Sequence, residues 1–270
     1  MESIEKIILS DLLINDEVFT PVDGLQYPWE WIANINDFFQ NVESSQSSFE
    51  KVVINEKDGP VYISESAKIE PFTVFNGPVY IGKNCLIKSH SNISSSIINH
   101  DCKVKGEINS SIFQPFSNKS HEGFIGHSFI GSWVNLGAGT TTSNLKNNYS
   151  EVSVKWNGSL INTKSIFFGS IIGDHVKTAI GTNLNTGTVI ELGSNVVSQS
   201  FPKRHIPCFS FYYKEKISKI NFDDFKKAAK VAMKRRNIDF SSYEDMLLTV
   251  YKKDWLNCKL IISSFHHEHI

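Results

Sequence analysis

Two histidines lie six residues apart in a stretch rich in small residues, "SHEGFIGHSFIGSWVNLGAGTTTSNLK", which runs from Ser120 to Lys146. The pKa of histidine lies near neutral pH, so His121 or His127 could accept a proton from a reacting group. Both could instead be structural residues that fill corners of a repetitive β-structure. We therefore ask which elements surround them.

The middle of the chain repeats with a period of six. Small and polar residues separate apolar ones at this spacing, and the apolar residues are Ile63, Ile69, Phe75, Ile81, Ile87, Ile93, Phe124, Ile130, Leu136, Ile172, Leu184, Ile190 and Val196. Such a period is typical of the hexapeptide β-helix, in which each hexapeptide forms one side of a triangular coil. We predict an all-β solenoid, a parallel β-helix whose repeated apolar residues point inward and stack.

The repeat divides the chain into three parts, with the β-helix at residues 51–212. Residues 1–50 contain "QYPWEWIANINDFFQ", which predicts a short helix that packs its aromatic residues against the first coil. Residues 213–270 form a helical extension, expected to cap the open edge of the last coil. Residues 97–123 and 144–165 break the six-residue register and are predicted to form projecting loops, where sites are often built.

Composition excludes several classes of function. Lys plus Arg number 27 and Asp plus Glu number 28, so the chain has no electrostatic footprint for nucleic acid. No run of 18 apolar residues occurs, which predicts no transmembrane helix, and the start of the chain is not typical of a signal peptide. The four cysteines are widely spaced and are expected to be reduced thiols in a cytoplasmic protein.

The stretch around the two histidines resembles a known family. His121, Gly126, "NLGAGT" at 135–140 and Asn144 are similar in order and spacing to the acetyltransferase half of bifunctional sugar-1-phosphate acetyltransferase/nucleotidylyltransferases, the glucosamine-1-phosphate type. Residues 52–212 resemble still more the β-helix half of bacterial sugar nucleotidylyltransferases. The resemblance implies left-handed coils, a homotrimer, and acetyl transfer from acetyl-CoA to an amino sugar at sites between subunits.

The same resemblance assigns the acceptor residues. His121 matches the general base, Asn144 and Glu107 match residues near the acceptor, and Lys88 falls near an arginine that holds the sugar phosphate. Two positions depart from the family, since Phe124 replaces a tyrosine and Asn109 replaces a lysine. The loss of a hydroxyl and a cation weakens phosphate contacts, which leaves the identity of the acceptor open. His127 matches an acidic position and is expected to cap a corner.

For acetyl-CoA, the resemblance implies that backbone N–H groups at coil corners bind the pantetheine arm. Ala179 and Ser198 fall at such corners, and Lys203 and Arg204 in "FPKRH" are positioned to meet the CoA phosphates. No metal is expected for acyl transfer. The resembled proteins carry a nucleotidyltransferase domain before the β-helix, but residues 1–50 contain no glycine-rich phosphate loop, so nucleotidyl transfer is not expected from them.

Two alternatives stay open. One is a non-catalytic oligomerisation or sugar-phosphate-sensing module that works with a separate nucleotidyltransferase, which the departures at Phe124 and Asn109 favour. The other is a zinc enzyme of the γ-carbonic anhydrase kind, which needs three convergent histidines. His121 and His127 are predicted to lie on different sides of one coil, which disfavours zinc. The terminal "HHEHI" could bind metal incidentally.

Overall fold

The computed structural model describes residues 25, 27–45, 48–198, 200–252 and 255. Within these residues the chain winds into a parallel β-helix with three flat faces, because equivalent strands of successive coils pair in parallel register. The structure confirms the parallel hexapeptide β-helix that the six-residue repeat predicts, and this architecture agrees with the left-handed coils that the resemblance implies. The terminal "HHEHI" and most of residues 1–26 lie outside the described residues.

Face 1 contains the strands that follow one set of corners in every coil. Its strands are β1 (Val53–Asn55), the first part of β4 (Val74–Ile81), the first part of β6 (Asn92–Ile98), β8 (Glu107–Asn109), β11 (Phe124–Gly126), β13 (Thr141–Thr142) and β18 (Asn183–Leu184). Apart from Gly126, which is covered by its neighbours, its outward-pointing residues are exposed or half-buried.

Face 2 follows face 1 in each coil. Its strands are β2 (Val61–Ile63), the later parts of β4 and β6, β9 (Ile112–Phe113), β12 (Phe129–Ile130), β16 (Ser170–Ile172), β19 (Thr188–Ile190) and β21 (His205–Ile206). Face 3 closes the triangle with β3 (Lys68–Ile69), β5 (Leu86–Ile87), β7 (Lys103–Val104), β10 (Asn118–Lys119), β17 (Lys177–Thr178), β20 (Asn195–Val197) and β22 (Ser210–Tyr213). An antiparallel strand, β23 (Lys216–Lys219), ends this last sheet.

Three rows of corners separate the faces, and we name each row by one residue. The His121 edge joins face 3 to face 1, the His127 edge joins face 1 to face 2, and the Trp133 edge joins face 2 to face 3. At the Trp133 edge the same corner position adopts a positive φ in successive coils, between 56° and 65° at Asn84, Asp101, Phe116, Trp133 and His175.

The interior follows the predicted repeat over most of its length. Ile81, Ile87 and Ile93 are fully buried, as are Ile172, Leu184 and Ile190 later in the chain. The prediction is wrong at Phe124, which points outward beside Glu107, while Ile125 occupies the interior. The reason is a short corner: interior residues Ile125 and Ile130 are five apart, so counting back six from Ile130 reaches the wrong residue.

The N-terminal segment covers the outside of face 2. Helix α1 (Pro28–Ala33) and a 3₁₀ helix (Ile35–Phe39) bury their aromatic residues against the outward side chains of face 2, together with a hairpin, β14 (Ser153–Trp156) and β15 (Ser159–Asn162). These helices therefore lie along several coils, from Tyr80 to Ile171, and not against the first coil alone as predicted.

The C-terminal helices also lie along the side of the β-helix. Helices α2 (Phe222–Lys234) and α3 (Ser241–Lys252) pack Phe225, Met233 and Leu247 against aromatic residues of the Trp133 edge. The prediction that they cap the open edge of the last coil is wrong, because β23 pairs with that coil on face 3 while the helices bury the corner aromatics.

The cysteines divide into two kinds. Cys85 and Cys102 are free and buried in the interior, where burial raises the pKa of the Cys102 thiol. Cys208 is disulfide-bonded, so the prediction of four reduced thiols is wrong for this residue.

Candidate active site

His121 lies at an exposed corner of the β-helix, directly after β10. Lys119 fixes this corner from inside the β-helix. Its side chain is fully buried in the interior row, between Val104 and Leu136 of the neighbouring coils. The Lys119 Nζ donates to the backbone carbonyls of His121 and, at 2.7 Å, Glu122. Burial lowers the pKa of Lys119 to about 8. An ammonium inside the coil is costly unless it is hydrogen-bonded, so these two carbonyls explain its presence.

The His121 edge carries further charges on neighbouring coils. Lys105 forms a 2.8 Å ion pair with Glu122, and this hydrogen bond lowers the pKa of the Glu122 carboxyl. Lys88 lies at the same edge two coils before His121, which corresponds to about 10 Å along the axis at the ordinary spacing of paired strands. Lys88 thus shares an edge with His121 but does not touch it, and its contact with a sugar phosphate stays a prediction of the resemblance.

His127 and Asn144 form a separate cluster at the His127 edge. The Asn144 side-chain amide donates to His127 Nδ1 at 2.9 Å, and the His127 ring stacks on Phe167 at 5.1 Å between ring centroids. A Cβ added at Gly126 would lie 2.4 Å from the Phe124 ring and 2.8 Å from the Asn144 amide, so glycine is needed where these side chains meet.

The hydrogen bond from Asn144 decides the protonation of His127. An amide nitrogen only donates, so Nδ1 accepts and the ring proton sits on Nε2. Burial lowers the pKa of His127, which keeps the ring neutral at pH 7. In this tautomer the lone pair that a base needs is already used. The exposed ring of His121, in contrast, has no hydrogen bond to any described residue.

Glu107 and Asn109 lie on face 1, between the two edges. Glu107 is exposed and pairs in register with Phe124 of the next coil. Asn109 is satisfied within the fold, since it donates to Ser94 Oγ at 2.8 Å and accepts from Ser110 Oγ at 2.9 Å. Glu107 and Phe124 are therefore the outward groups of this face, whereas Asn109 holds the corner beside it.

His121 and Asn144 do not converge within one chain. They border face 1 on opposite sides, one coil apart, and four residues of extended chain separate the two edges by about 13 Å. Of the predicted acceptor residues, the structure brings Asn144 and Phe124 together beside His127, and leaves His121 at the other edge.

The residues predicted for acetyl-CoA are also divided between the two edges. Ala179 and Ser198 lie on the His121 edge in successive coils. The Ala179 N–H donates to the Val196 carbonyl at 2.8 Å and is not free for a ligand. Lys203 and Arg204 are exposed before β21, on the His127 edge, so they do not reach the groove that His121 lines.

That groove, of about 940 Å³, lies between face 3 and helix α2. His121 and Ala138 form one rim, and the outward residues Lys103, Asn118 and Lys177 form its floor. We name it the α2 groove. Sequence reasoning missed Lys119 and the lysines of this floor. A signal existed for Lys119, because it stands six residues from both Phe113 and Ile125 and so occupies an interior position of the repeat.

Two further findings bear on other classes of function. Among the described residues, no three histidine, cysteine or acidic side chains are grouped to hold a metal ion. None of the helices within the described ranges has the length and hydropathy that crossing a membrane requires.

Comparison with known proteins agrees with the resemblance predicted from the sequence. The chain is 29% identical over 229 residues to the bifunctional protein GlmU of Methanococcus vannielii, covering 79% of this chain and 52% of that protein. It is 31% identical over 106 residues to a bifunctional sugar-1-phosphate nucleotidylyltransferase/acetyltransferase of Sulfurisphaera tokodaii, covering 39% and 26%. The chain thus spans about half the length of the first of these relatives. No protein-family model matches it.

Among solved structures, the UDP-N-acetylglucosamine acyltransferase of Campylobacter jejuni is similar over 77% of this chain and 97% of its own, with 12% identity and a TM-score of 0.34.

Proposed function

We propose that the chain is an acetyl-CoA-dependent transferase that acetylates the amino group of a sugar carrying a phosphate or nucleotide. The observation that carries the proposal is the His121 corner. Its imidazole is exposed, borders the α2 groove and has a free lone pair, while Lys119 fixes the backbone beneath it. The similarity to the bifunctional protein GlmU over 79% of the chain, together with the shorter match to a bifunctional nucleotidylyltransferase/acetyltransferase, supports the choice of reaction.

In the proposed reaction the sugar amine attacks the thioester carbonyl of acetyl-CoA. The nitrogen forms a bond to the carbonyl carbon, and His121 takes a proton from the nitrogen as its charge develops. The tetrahedral intermediate then collapses, the carbon–sulfur bond breaks, and CoA leaves as its thiol after it receives that proton. A general base of this kind contributes about 10²- to 10⁴-fold to the rate.

We infer that the complete site forms between copies of the chain. Within one copy, His121 and Asn144 lie on opposite edges of face 1, too far apart to hold one amine. Face 1 is bordered by both edges, and apart from Gly126 its outward residues are not buried. In a cyclic homotrimer, the kind of assembly implied by the resemblance, the His121 edge of one copy could face the His127 edge of the next.

The outward residues of face 1 indicate which kind of acceptor this face could hold. Phe124 presents a ring without a hydroxyl beside Glu107, and Asn109 is already bonded to Ser94 and Ser110. A sugar held here meets a carboxylate and an aromatic face, which suits an amine and the apolar side of a pyranose. Its phosphate must be held elsewhere.

The proposal is tested by measuring thiol release from acetyl-CoA with a panel of amino sugars, their 1-phosphates and nucleotide-linked forms. Turnover with one class names the acceptor. If the panel gives no turnover and acetyl-CoA does not bind in calorimetry, the transferase proposal is wrong, and the non-catalytic module becomes the better account.

A further inference from the structure

The α2 groove exists because of the residue pattern of helix α2. One stripe of this helix, Phe222, Phe225, Ala229 and Met233, is buried against the Trp133 edge. The adjacent stripe faces the groove and carries Ala228 and Ala232, whose small side chains leave space above face 3.

The groove is strongly basic. Its lining contains one carboxylate, that of Asp224, and five cationic side chains, which are Lys103, Lys177, Lys227, Arg235 and Arg236. Asp224 is already paired with Lys227 at 3.5 Å. The other four cations have no carboxylate within 4 Å among the described residues.

The cations of the groove repel one another. Arg236 and, to a smaller extent, Arg235 lower the pKa of Lys103, together with burial. The Arg236 guanidinium donates to Asn118 Oδ1 at 3.4 Å, which directs it over the floor. Lys177 is mostly shielded from water, and its Nζ donates a hydrogen bond to the backbone carbonyl of His175 at 3.4 Å. Such uncompensated charge at close range favours an anion between the helix and face 3.

We propose that the α2 groove is a phosphate-binding site, in which Arg235 and Arg236, directly after helix α2, and Lys103 and Lys177 of face 3 hold the phosphate of a substrate. Arginine side chains recognise phosphate through paired, charge-assisted hydrogen bonds, and lysines add point charges. The placement of the reacting end of that substrate toward His121 rests on the proposed function.

The mouth of the groove is apolar beside its basic floor. Ile180 is 78% exposed and Val231 is 63% exposed, and both line the groove. A ligand that combines phosphate with an uncharged arm fits this arrangement. Both CoA and a sugar phosphate carry phosphate, so the test must distinguish the two sources.

The test is calorimetric binding of four probes to the full chain: CoA, dephospho-CoA, glucosamine 1-phosphate and inorganic pyrophosphate. The variants are Arg235→Gln/Arg236→Gln at the C-terminal end of helix α2 and, separately, Lys103→Gln on the β-helix. Lys214→Gln/Lys216→Gln is the matched control, because both lysines are exposed in the β22–β23 hairpin. Circular dichroism establishes that each variant is folded.

We expect the arginine variant to weaken binding of a phosphate ligand by about 10-fold or more, with a smaller loss in Lys103→Gln and none in the control. Tighter binding of CoA than of dephospho-CoA, lost in the variant, identifies the 3′-phosphate of CoA as the source. A loss confined to glucosamine 1-phosphate identifies the acceptor phosphate.

Equal binding of every probe by wild type and both groove variants would overturn the phosphate site. This outcome is separable from failure of the transferase proposal. If phosphate binding depends on the arginines but no acceptor is turned over, the phosphate site is supported and the transferase proposal is wrong. If an acceptor is turned over and the groove variants keep the KM values of the wild type, the transferase proposal is supported and the phosphate site is wrong.

Discussion

The Nζ atom of Lys119 donates a hydrogen bond to the backbone carbonyl of His121, from a position inside the β-helix. A second bond at 2.7 Å reaches the Glu122 carbonyl. The interior row of face 3 is otherwise occupied mainly by apolar residues such as Ile87, Val104 and Leu136. Lys119 therefore replaces an apolar side chain of this row with a hydrogen-bond donor, which fixes the corner that carries the candidate base.

Lys119→Met is expected to lower the rate of the reaction by displacing His121, without unfolding the β-helix. Methionine has a similar length but leaves both carbonyls without their donor, so the His121 ring loses its fixed position. A displacement of about 1 Å lowers rates about 10²-fold in positioned systems. Removal of the buried charge and loss of the donor to the two carbonyls oppose each other, so the melting temperature is expected to change little.

The readout for Lys119→Met is kcat with the acceptor that the amino-sugar panel identifies, and KM for acetyl-CoA is expected to be unchanged. Lys68→Met, at an exposed position of face 3, is the control. An unchanged kcat in Lys119→Met would show that the hydrogen bonds to His121 and Glu122 do not matter for the reaction.

Complementation tests whether the site is shared between copies. His121→Ala and Asn144→Ala are each expected to lose activity. When the two variants are unfolded, mixed equally and refolded together, about a quarter of the sites in a cyclic homotrimer should pair an intact His121 with an intact Asn144.

Activity after mixing is compared with each variant refolded alone, and light scattering gives the oligomeric state. No recovery in mixed trimers would mean that both residues serve the same site from the same chain. A monomer in solution would contradict the shared site directly.

His175 makes the fold sensitive to acid. Its ring is buried between Trp133, stacked at 6.0 Å, and Phe225, and burial lowers its pKa to about 3. The unfolded chain binds this proton near pH 6.5 and the folded chain does not. Stability is therefore lost as pH falls from about 6.5 toward 3, by about 2 kcal/mol for this group by pH 5.

His175→Phe is expected to remove this part of the pH dependence. Phe116 and Phe209 already occupy the equivalent corner position with positive φ, so phenylalanine suits the backbone. Urea unfolding at pH 7 and pH 5 measures the difference. The same loss of unfolding free energy in wild type and variant would mean that His175 is not kept neutral by the fold.

The corrected interior register predicts unequal effects for two neighbours. Ile125 is fully buried and stacks on Ile108, whereas Phe124 points outward. Ile125→Ala is expected to cost about 2–5 kcal/mol through the cavity it leaves, and Phe124→Ala less than about 1 kcal/mol. Urea unfolding of both variants checks this, and a larger cost at Phe124 would contradict the register.

Much of this fold could be predicted because the hexapeptide period records which side chains point inward. Ile81, Ile87 and Ile93 follow that period without interruption, and the resemblance located the His121 corner. The period could not give the five-residue step from Ile125 to Ile130, because corner length depends on backbone geometry and not on hydropathy.

The parts that could not be predicted depend on contacts between distant segments. To predict the hydrogen bond from Asn144 to His127, one must know where the loop after β13 leaves the coil. The α2 groove arises because Phe225 and Met233 pack on corner aromatics such as Trp133, which hydropathy alone does not pair with a helix. Arg235 and Arg236 reach the β-helix only through that packing.

The measurement that tests the central claim most directly is thiol release from acetyl-CoA by wild type, His121→Ala and His127→Ala with the same acceptor. Both variants truncate a histidine of the same coil, and only His121 has a free lone pair. We predict that kcat falls about 10²- to 10⁴-fold in His121→Ala and much less in His127→Ala. Full activity in His121→Ala, with the loss confined to His127→Ala, would contradict the assignment of the base and move the reaction to the other edge of face 1.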